Sequence, residues 1–256
     1  VVGLSYSGDT EETLSSLGMA LGQGARVLCI SSGGELERLA AREALPFVKV
    51  PAGLQPRAAL GYLLLPILKV LSRIGLLEQE LDHLPEALRR AAAGWGPEVP
   101  VEANRAKRLA GWLYRKIPVI YGVEGTTAAV ALRWKTQINE NGKQPAFWNS
   151  VPELCHNEIV ALERADLLPH MRVVLLRSPL DHQQNQRRIE IMQELLEERG
   201  IDHEEVSVEA DGKLLQLLSL VYLGDLVSVY LALQGGVDPT PVKLIVDFKE
   251  RLRQFP

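Results

Sequence analysis

The sequence predicts an α/β fold of two similar doubly wound halves, each a parallel sheet flanked by helices. Three observations carry that expectation. Short runs rich in Val, Ile and Leu recur at Val1–Leu4, Arg26–Ile30, Phe47–Val50, Pro118–Tyr121 and Val173–Leu176. Apart from Arg26 and Lys49 they are apolar rather than alternating, the pattern of parallel strands covered on both faces by helices. Helical patterns follow several of them, at Thr10–Leu21, Gly34–Glu43, Thr126–Asn139, Asp181–Arg199 and Leu214–Leu233, and such alternation builds βαβ units. Finally, the order strand, Ser-rich loop, helix occurs twice early on, at Leu4-Ser5-Tyr6-Ser7 and Ile30-Ser31-Ser32-Gly33-Gly34. A related order returns at Val119-Ile120-Tyr121-Gly122 into Gly125-Thr126-Thr127, and again at Val173–Ser178.

Each element has a local reason. Val1-Val2-Gly3-Leu4 reads as an interior strand, too short and without the basic leader of a signal peptide. The region from about Pro56 to Lys116 is helical and joins the halves, with a turn at Gly94-Trp95-Gly96-Pro97. The helix from Asp181 has a polar start, apolar Ile189, Ile191, Met192, Leu195 and Leu196, and Gly200 as its stop. These readings assign 1–95 to a first half with its connector and 96–256 to a second half with C-terminal helices. Set side by side, Gly122–Thr127 is the first loop of the second half, whereas Val1 begins at the second strand of the first. The first half is therefore expected to lack its N-terminal strand and loop.

Composition narrows the function. The 256 residues are 46% hydrophobic and 23% charged, an ordinary globular balance that excludes disorder and disulfide miniproteins. With 28 Lys and Arg against 32 Asp and Glu, a net charge of -4 lacks the basic excess of a nucleic-acid or anionic-membrane surface. Small molecules are the expected partners, with no nucleic acid and no membrane. Cys29 and Cys155 lie far apart, which suits a reducing cytoplasm rather than a disulfide framework. The richest apolar segment, taken as Ala58–Leu71, is broken by Gly61, Pro66 and Lys69, and reads as a buried helix rather than a membrane span.

Ser5-Tyr6-Ser7-Gly8-Asp9-Thr10-Glu11-Glu12-Thr13 follows a strand and opens a helix. Hydroxyls of Ser5, Ser7 and Thr10, with the helix N–H groups, suit a phosphate monoester, and Gly8 permits close backbone approach. The same residues also describe a turn in which Asp9 or Thr10 caps the helix. No Gly-Lys-Ser/Thr ending is present, so a nucleotide P-loop is excluded. Farther on, Glu140 ends an amphipathic helix and His156 opens the next helical pattern, with a short Pro-Ala-Phe-Trp strand between them. A carboxylate and an imidazole brought from different elements can act as separate proton-transfer groups. Glu140 beside Asn141-Gly142 also fits a solvated helix end. His156 with Glu153 and Glu158 makes a poor metal cluster, because neither a second His nor Cys-x-x-Cys supports it.

The serine loop resembles the second phosphate loop of the sugar isomerase (SIS) domain, S-x-S-G-x-T-x-E-T. Arg133–Lys143, Pro152–Ile159, Gly53–Tyr62, Asp238–Val242 and Phe248-Lys249 resemble the bifunctional phosphoglucose/phosphomannose isomerases over nearly the whole chain. The resemblance implies aldose–ketose isomerisation of glucose 6-phosphate or mannose 6-phosphate with fructose 6-phosphate through a cis-enediol, without metal or organic cofactor. It implies Glu140 as the base between C2 and C1, His156 as the ring-opening group supplied from the partner subunit of a homodimer, and Arg57 as the enediolate's cation. It further implies Ser5, Ser7 and Thr10 as phosphate ligands and Thr240 as the residue that widens the pocket for both C2 epimers. Lys249 is the expected substrate-facing lysine, with Lys243 as its alternative. Thr240-Pro241 is also a good helix start in its own right. A catalytically weak SIS-type sensor is the other reading, favoured by the missing first loop; a DNA-binding regulator would need a basic helix-turn-helix that the sequence lacks.

Overall fold

The computed structural model describes residues 1–78, 81–167 and 170–254. The chain divides into two compact units, Val1–His83 and Leu84–Pro256, and each builds a parallel sheet of its own.

In the first unit, strands β1 (Val2–Leu4), β2 (Leu28–Ser31) and β3 (Phe47–Lys49) pair in that order, Gly3 opposite Cys29 and Ile30 opposite Val48. Helices α1 (Glu11–Gly22) and α2 (Gly34–Arg42) turn Leu17, Leu36 and Ala40 onto Val27 and Cys29. Gly3 leaves room for Leu17 there, since a Cβ would meet Leu17 Cδ1 at 2.3 Å and the leucine would have to shift. A 3₁₀ turn at Pro56–Ala59 leads into α3 (Leu60–Arg73).

The second unit opens with α4 (Leu84–Ala92) and α5 (Arg105–Leu113), which precede strand β4 (Ile117–Val123) and α6 (Ala128–Glu140). After β5 (Phe147–Val151) come β6 (Met171–Leu176), α7 (Gln183–Glu198) and β7 (His203–Val206), and then α8 (Lys213–Gln234) and α9 (Lys243–Leu252). The strand order is β5-β4-β6-β7, all parallel. In this sheet the first strand of the unit lies inside, between its second and third; in the smaller sheet β1 and β2 pair directly.

Both faces of β4 are buried, which is why its sequence does not alternate. Ile120 packs with Trp134, Leu109 and Leu223 from α6, α5 and α8. Val119 and Tyr121 point the other way, into a cluster with Ile189, Met192 and Leu196 of α7. Trp134 is wholly buried and donates its indole N–H to Leu220 O at 2.8 Å. Gly224 makes room for it, since a Cβ there would lie 2.2 Å from Trp134 Nε1.

Several expectations need correction. Val1–Leu4, expected to be an interior strand, is an edge strand of its sheet with Val2 and Leu4 exposed. The most apolar helix is α8, not Ala58–Leu71, and the helix expected there to be buried, α3, has no fully buried residue; among the described residues α8 alone is long and apolar enough to cross a bilayer. It is nevertheless the core helix of its unit, burying Leu220, Leu223, Val227 and Leu231 against α4, α5 and α6. The short strand begins at Phe147 rather than at Pro145. Strand β7 was not anticipated, because His-Glu-Glu-Val is an edge strand with one neighbour and only Val206 fully buried, and edge strands escape the apolar rule.

Candidate active site

At the carboxyl end of β1 the chain folds into a tight hydroxyl-lined loop. Ser5 is buried, shares a 2.7 Å hydrogen bond with Thr10 Oγ1 and accepts the Gly8 N–H at 3.1 Å. Ser7 and Thr10 are exposed, and Ser7 Oγ accepts the Asp9 N–H at 3.2 Å. Thr10 stands at the N-cap of α1 without a side-chain cap bond. Asp9 does cap a helix, but a different one: its Oδ1 accepts the Glu35 N–H in the first turn of α2 at 2.9 Å. The structure therefore brings Ser5, Ser7 and Thr10 together at a helix N-terminus, where N–H groups and the macrodipole favour an anion.

The loop rests on the Ser31–Gly34 turn. Ser32 donates from both its N–H and its hydroxyl to Tyr6 O, and Gly8 O accepts the Leu36 N–H. Gly8 has φ +82, and a Cβ there would sit 1.8 Å from Gly33 O. Only glycine fits both the backbone and the gap.

Arg57 lies half-buried in the 3₁₀ turn, 3.4 Å from Gln55 Oε1. The connection between this segment and the serine loop was missed by sequence reasoning. Tyr6 donates its hydroxyl to Pro51 O at 3.0 Å and accepts the Leu54 N–H at 2.8 Å, so one side chain of the loop fixes the chain leading to Arg57. The only signal was a tyrosine inside a Ser-Gly loop. Tyr6→Phe is expected to cost about 0.5–1.5 kcal/mol per lost bond and to speed amide hydrogen exchange at Leu54. Unchanged exchange would contradict this role.

In the second unit Glu140 is the last residue of α6 and half-buried. Its helix end is pinned to α8 by polar contacts. Arg133 forms a bidentate pair with Asp225, at 3.1 and 2.7 Å, and Gln137 donates to the same carboxylate at 2.8 Å. Asn141 donates to Ser228 Oγ at 2.9 Å. Burial pushes the Asp225 carboxyl up, against the pull of Arg133 and Gln137.

Beyond the helix, Lys143 donates to Glu140 O, to Pro239 O at 3.3 Å and to Pro241 O at 2.7 Å. Thr240, exposed, thus lies in a turn tied to the end of the Glu140 helix, and its N–H is held by Asp238 Oδ1 at 2.8 Å. The backbone bond to Thr240 holds the Asp238 carboxyl below its ordinary value. This bracing corrects the expected helix start: α9 begins at Lys243, not at Pro241. Lys243 and Lys249 are both exposed on α9, which does not choose between them.

His156 is exposed after a 3₁₀ turn at Glu153–Cys155 that follows β5. The turn is anchored from behind, where Glu158 accepts from Asn149 Nδ2 at 2.5 Å. Burial and the adjoining Glu158 carboxylate push the Tyr121 hydroxyl up. Burial likewise raises the Cys155 thiol, which does not favour a nucleophilic thiolate. The Gly125–Thr127 loop is committed to internal bonds: Thr127 Oγ1 accepts from Val123 N and donates to Leu176 O, both at 2.9 Å. Among the described residues, no group of three or more His, Cys, Asp or Glu side chains gathers around a common metal position.

Residues 102–252 match the family described as the bacterial phospho-glucose isomerase C-terminal SIS domain. The whole chain is 41% identical over 259 residues to a bifunctional phosphoglucose/phosphomannose isomerase of Caldicellulosiruptor bescii, covering 100% of this chain and 76% of that one. The chain belongs to the bifunctional phosphoglucose/phosphomannose isomerase family. A phosphoglucose/phosphomannose isomerase of Aquifex aeolicus is 38% identical across 98% of the chain and 75% of its own length. Among solved structures, a glucose-6-phosphate isomerase like protein of Thermus thermophilus superposes with a TM-score of 0.67 at 27% identity, over 99% of this chain and 76% of that one. For this isomerase-family chain, the α/β architecture with parallel sheets expected from the apolar runs is thus established, and so is the resemblance drawn from the motifs.

Proposed function

We propose that the protein is a cytoplasmic phosphosugar isomerase that interconverts glucose 6-phosphate and mannose 6-phosphate with fructose 6-phosphate. The observation that carries the reading is the serine loop at the α1 N-terminus, a cradle for a phosphate monoester, in a chain 41% identical to a named isomerase of this type. Two free cysteines, one of them buried, suit the compartment.

In this reading Ser5, Ser7 and Thr10 hold the phosphate. His156 assists ring opening by passing a proton between the ring oxygen and the C1 hydroxyl. Glu140 then removes the proton from C2 of the open aldose, leaving an enediolate with its charge on O1; the proton of the C2 hydroxyl passes to O1, and Glu140 returns its own proton to C1 as C2 becomes the carbonyl. The guanidinium of Arg57 offsets the negative charge that develops on the enediolate oxygens. Thr240 borders the C2 hydroxyl and Lys249 faces the substrate. No step asks for a redox or metal group, because the hydrogen moves as a proton within one molecule.

The reading includes a homodimer whose active site takes His156 from the partner subunit. Support comes from the exposure of His156 together with Phe147 and Trp148 on the edge strand β5. A coupled assay with each aldose phosphate, run beside a titration with 5-phosphoarabinonate, tests the proposal. Turnover of both epimers is the expected result. Tight binding without turnover would replace it with the sensor reading.

A further inference from the structure

The segment that links Thr240 to Glu140 holds the most informative unassigned residue. Lys143 has φ +53, a left-handed backbone that is unfavourable for an L side chain. It follows Gly142, where a Cβ would meet Ile138 O at 2.8 Å, so the chain leaves α6 through a sharp, sterically fixed turn. That turn sends an ammonium back to Glu140 O while it also reaches Pro239 O and Pro241 O, 96 and 98 residues away in sequence. Three carbonyls from two distant segments thus converge on one cation. A cation at a helix C-terminus is favoured by the macrodipole, and strain retained at one residue is a mark of a constrained site.

We propose that Lys143 is a positioning residue: its ammonium locks the Pro239–Pro241 turn to the end of α6, so that Glu140 and Thr240 keep a fixed separation. The inference rests on the isomerase reading and deepens it, because the separation of a C2 base from the wall beside the C2 hydroxyl governs how evenly the two epimers react. The epimers carry that hydroxyl on opposite sides of the carbon. A wall free to shift therefore changes their rates unequally, and a displacement of an ångström is enough to alter rates substantially. Asp238 adds a second restraint: its carboxylate holds Thr240 N, and the Lys143 ammonium acts on the same carboxylate electrostatically.

The test compares the full-length protein with Lys143→Met, which keeps the stem and removes the charge, and Lys143→Arg, which keeps the charge. Lys143→Met is expected to raise amide exchange across residues 237–242 by about tenfold, the effect of losing bonds to a charged donor. It is also expected to change the ratio of kcat/KM for mannose 6-phosphate over glucose 6-phosphate by about fivefold or more, with Lys143→Arg near the wild-type ratio. A purely structural lysine would lower stability without moving that ratio. Unchanged exchange and an unchanged ratio in Lys143→Met would overturn the proposal. If the wild-type protein turns over neither sugar phosphate, the isomerase reading fails, and the exchange arm alone decides whether Lys143 holds the turn.

Discussion

Glu140→Gln is expected to leave the fold intact and to lower turnover by about 10²-fold or more. The amide has the size of the carboxylate but cannot take a proton from carbon. Local structure makes the experiment clean. The end of α6 is held by Arg133 and Gln137 on Asp225 and by Asn141 on Ser228, so the backbone at Glu140 is set by neighbours that the substitution leaves alone. The amide also keeps one of the two acceptor oxygens of the carboxylate. A variant with wild-type circular dichroism and binding of 5-phosphoarabinonate, but with turnover reduced in both directions, would fit a proton shuttle. Retained turnover would remove Glu140 from the chemistry and leave the base to be found elsewhere.

Gly8→Ala should be the most damaging single methyl in the first unit. Its left-handed φ of +82 costs an alanine about 1–2 kcal/mol, and the Cβ would stand 1.8 Å from Gly33 O. The obstacle is backbone, so no rotamer change relieves it, and the serine loop must separate from the Ser31–Gly34 turn. Such overpacking adds about 1–3 kcal/mol, a large share of the stability of a small domain. Gly24→Ala supplies the control, because Gly24 has φ +73 with nothing within 4 Å and should lose only about 1 kcal/mol. Urea unfolding of the two variants separates the clash from the backbone effect. The KM for the sugar phosphate should rise about tenfold or more in Gly8→Ala, since its cost falls on the loop that carries Ser5, Ser7 and Thr10. Equal destabilisation of the two variants would show that the close approach does not hold the loop.

How far the site was legible depended on what each residue does. The serine loop could be read because Ser, Gly and Thr between a strand and a helix carry both the backbone freedom and the hydroxyls that an anion needs. Its alternative, a simple cap, is partly true in an unforeseen way: Asp9 caps α2 rather than α1. Glu140 and His156 were ambiguous from their neighbours, since a Glu at a helix end and a His beside two Glu residues are common on solvated surfaces. Their assignment came from resemblance. The roles of Tyr6 and Lys143 could not be read from their neighbours, because they lie in carbonyls 45 to 98 residues away.

Fold class was written in the sequence because burial on both faces of a parallel sheet requires unbroken apolar runs, and β4 and β6 show them plainly. Strand β7 and the start of α9 were decided by tertiary structure alone. An edge strand pairs on one side and can keep the polar side chains that hide it from a hydrophobicity pattern. Pro241, a good first residue for a helix, is held in a turn by an ammonium from another element. Local composition thus determined most of the strands and helices, though not β7 or the start of α9, and which loop suits a phosphate. The joining of Thr240 to Glu140 was left to the packed chain, because a hydrogen bond between distant segments forms only once folding has brought their backbones within reach.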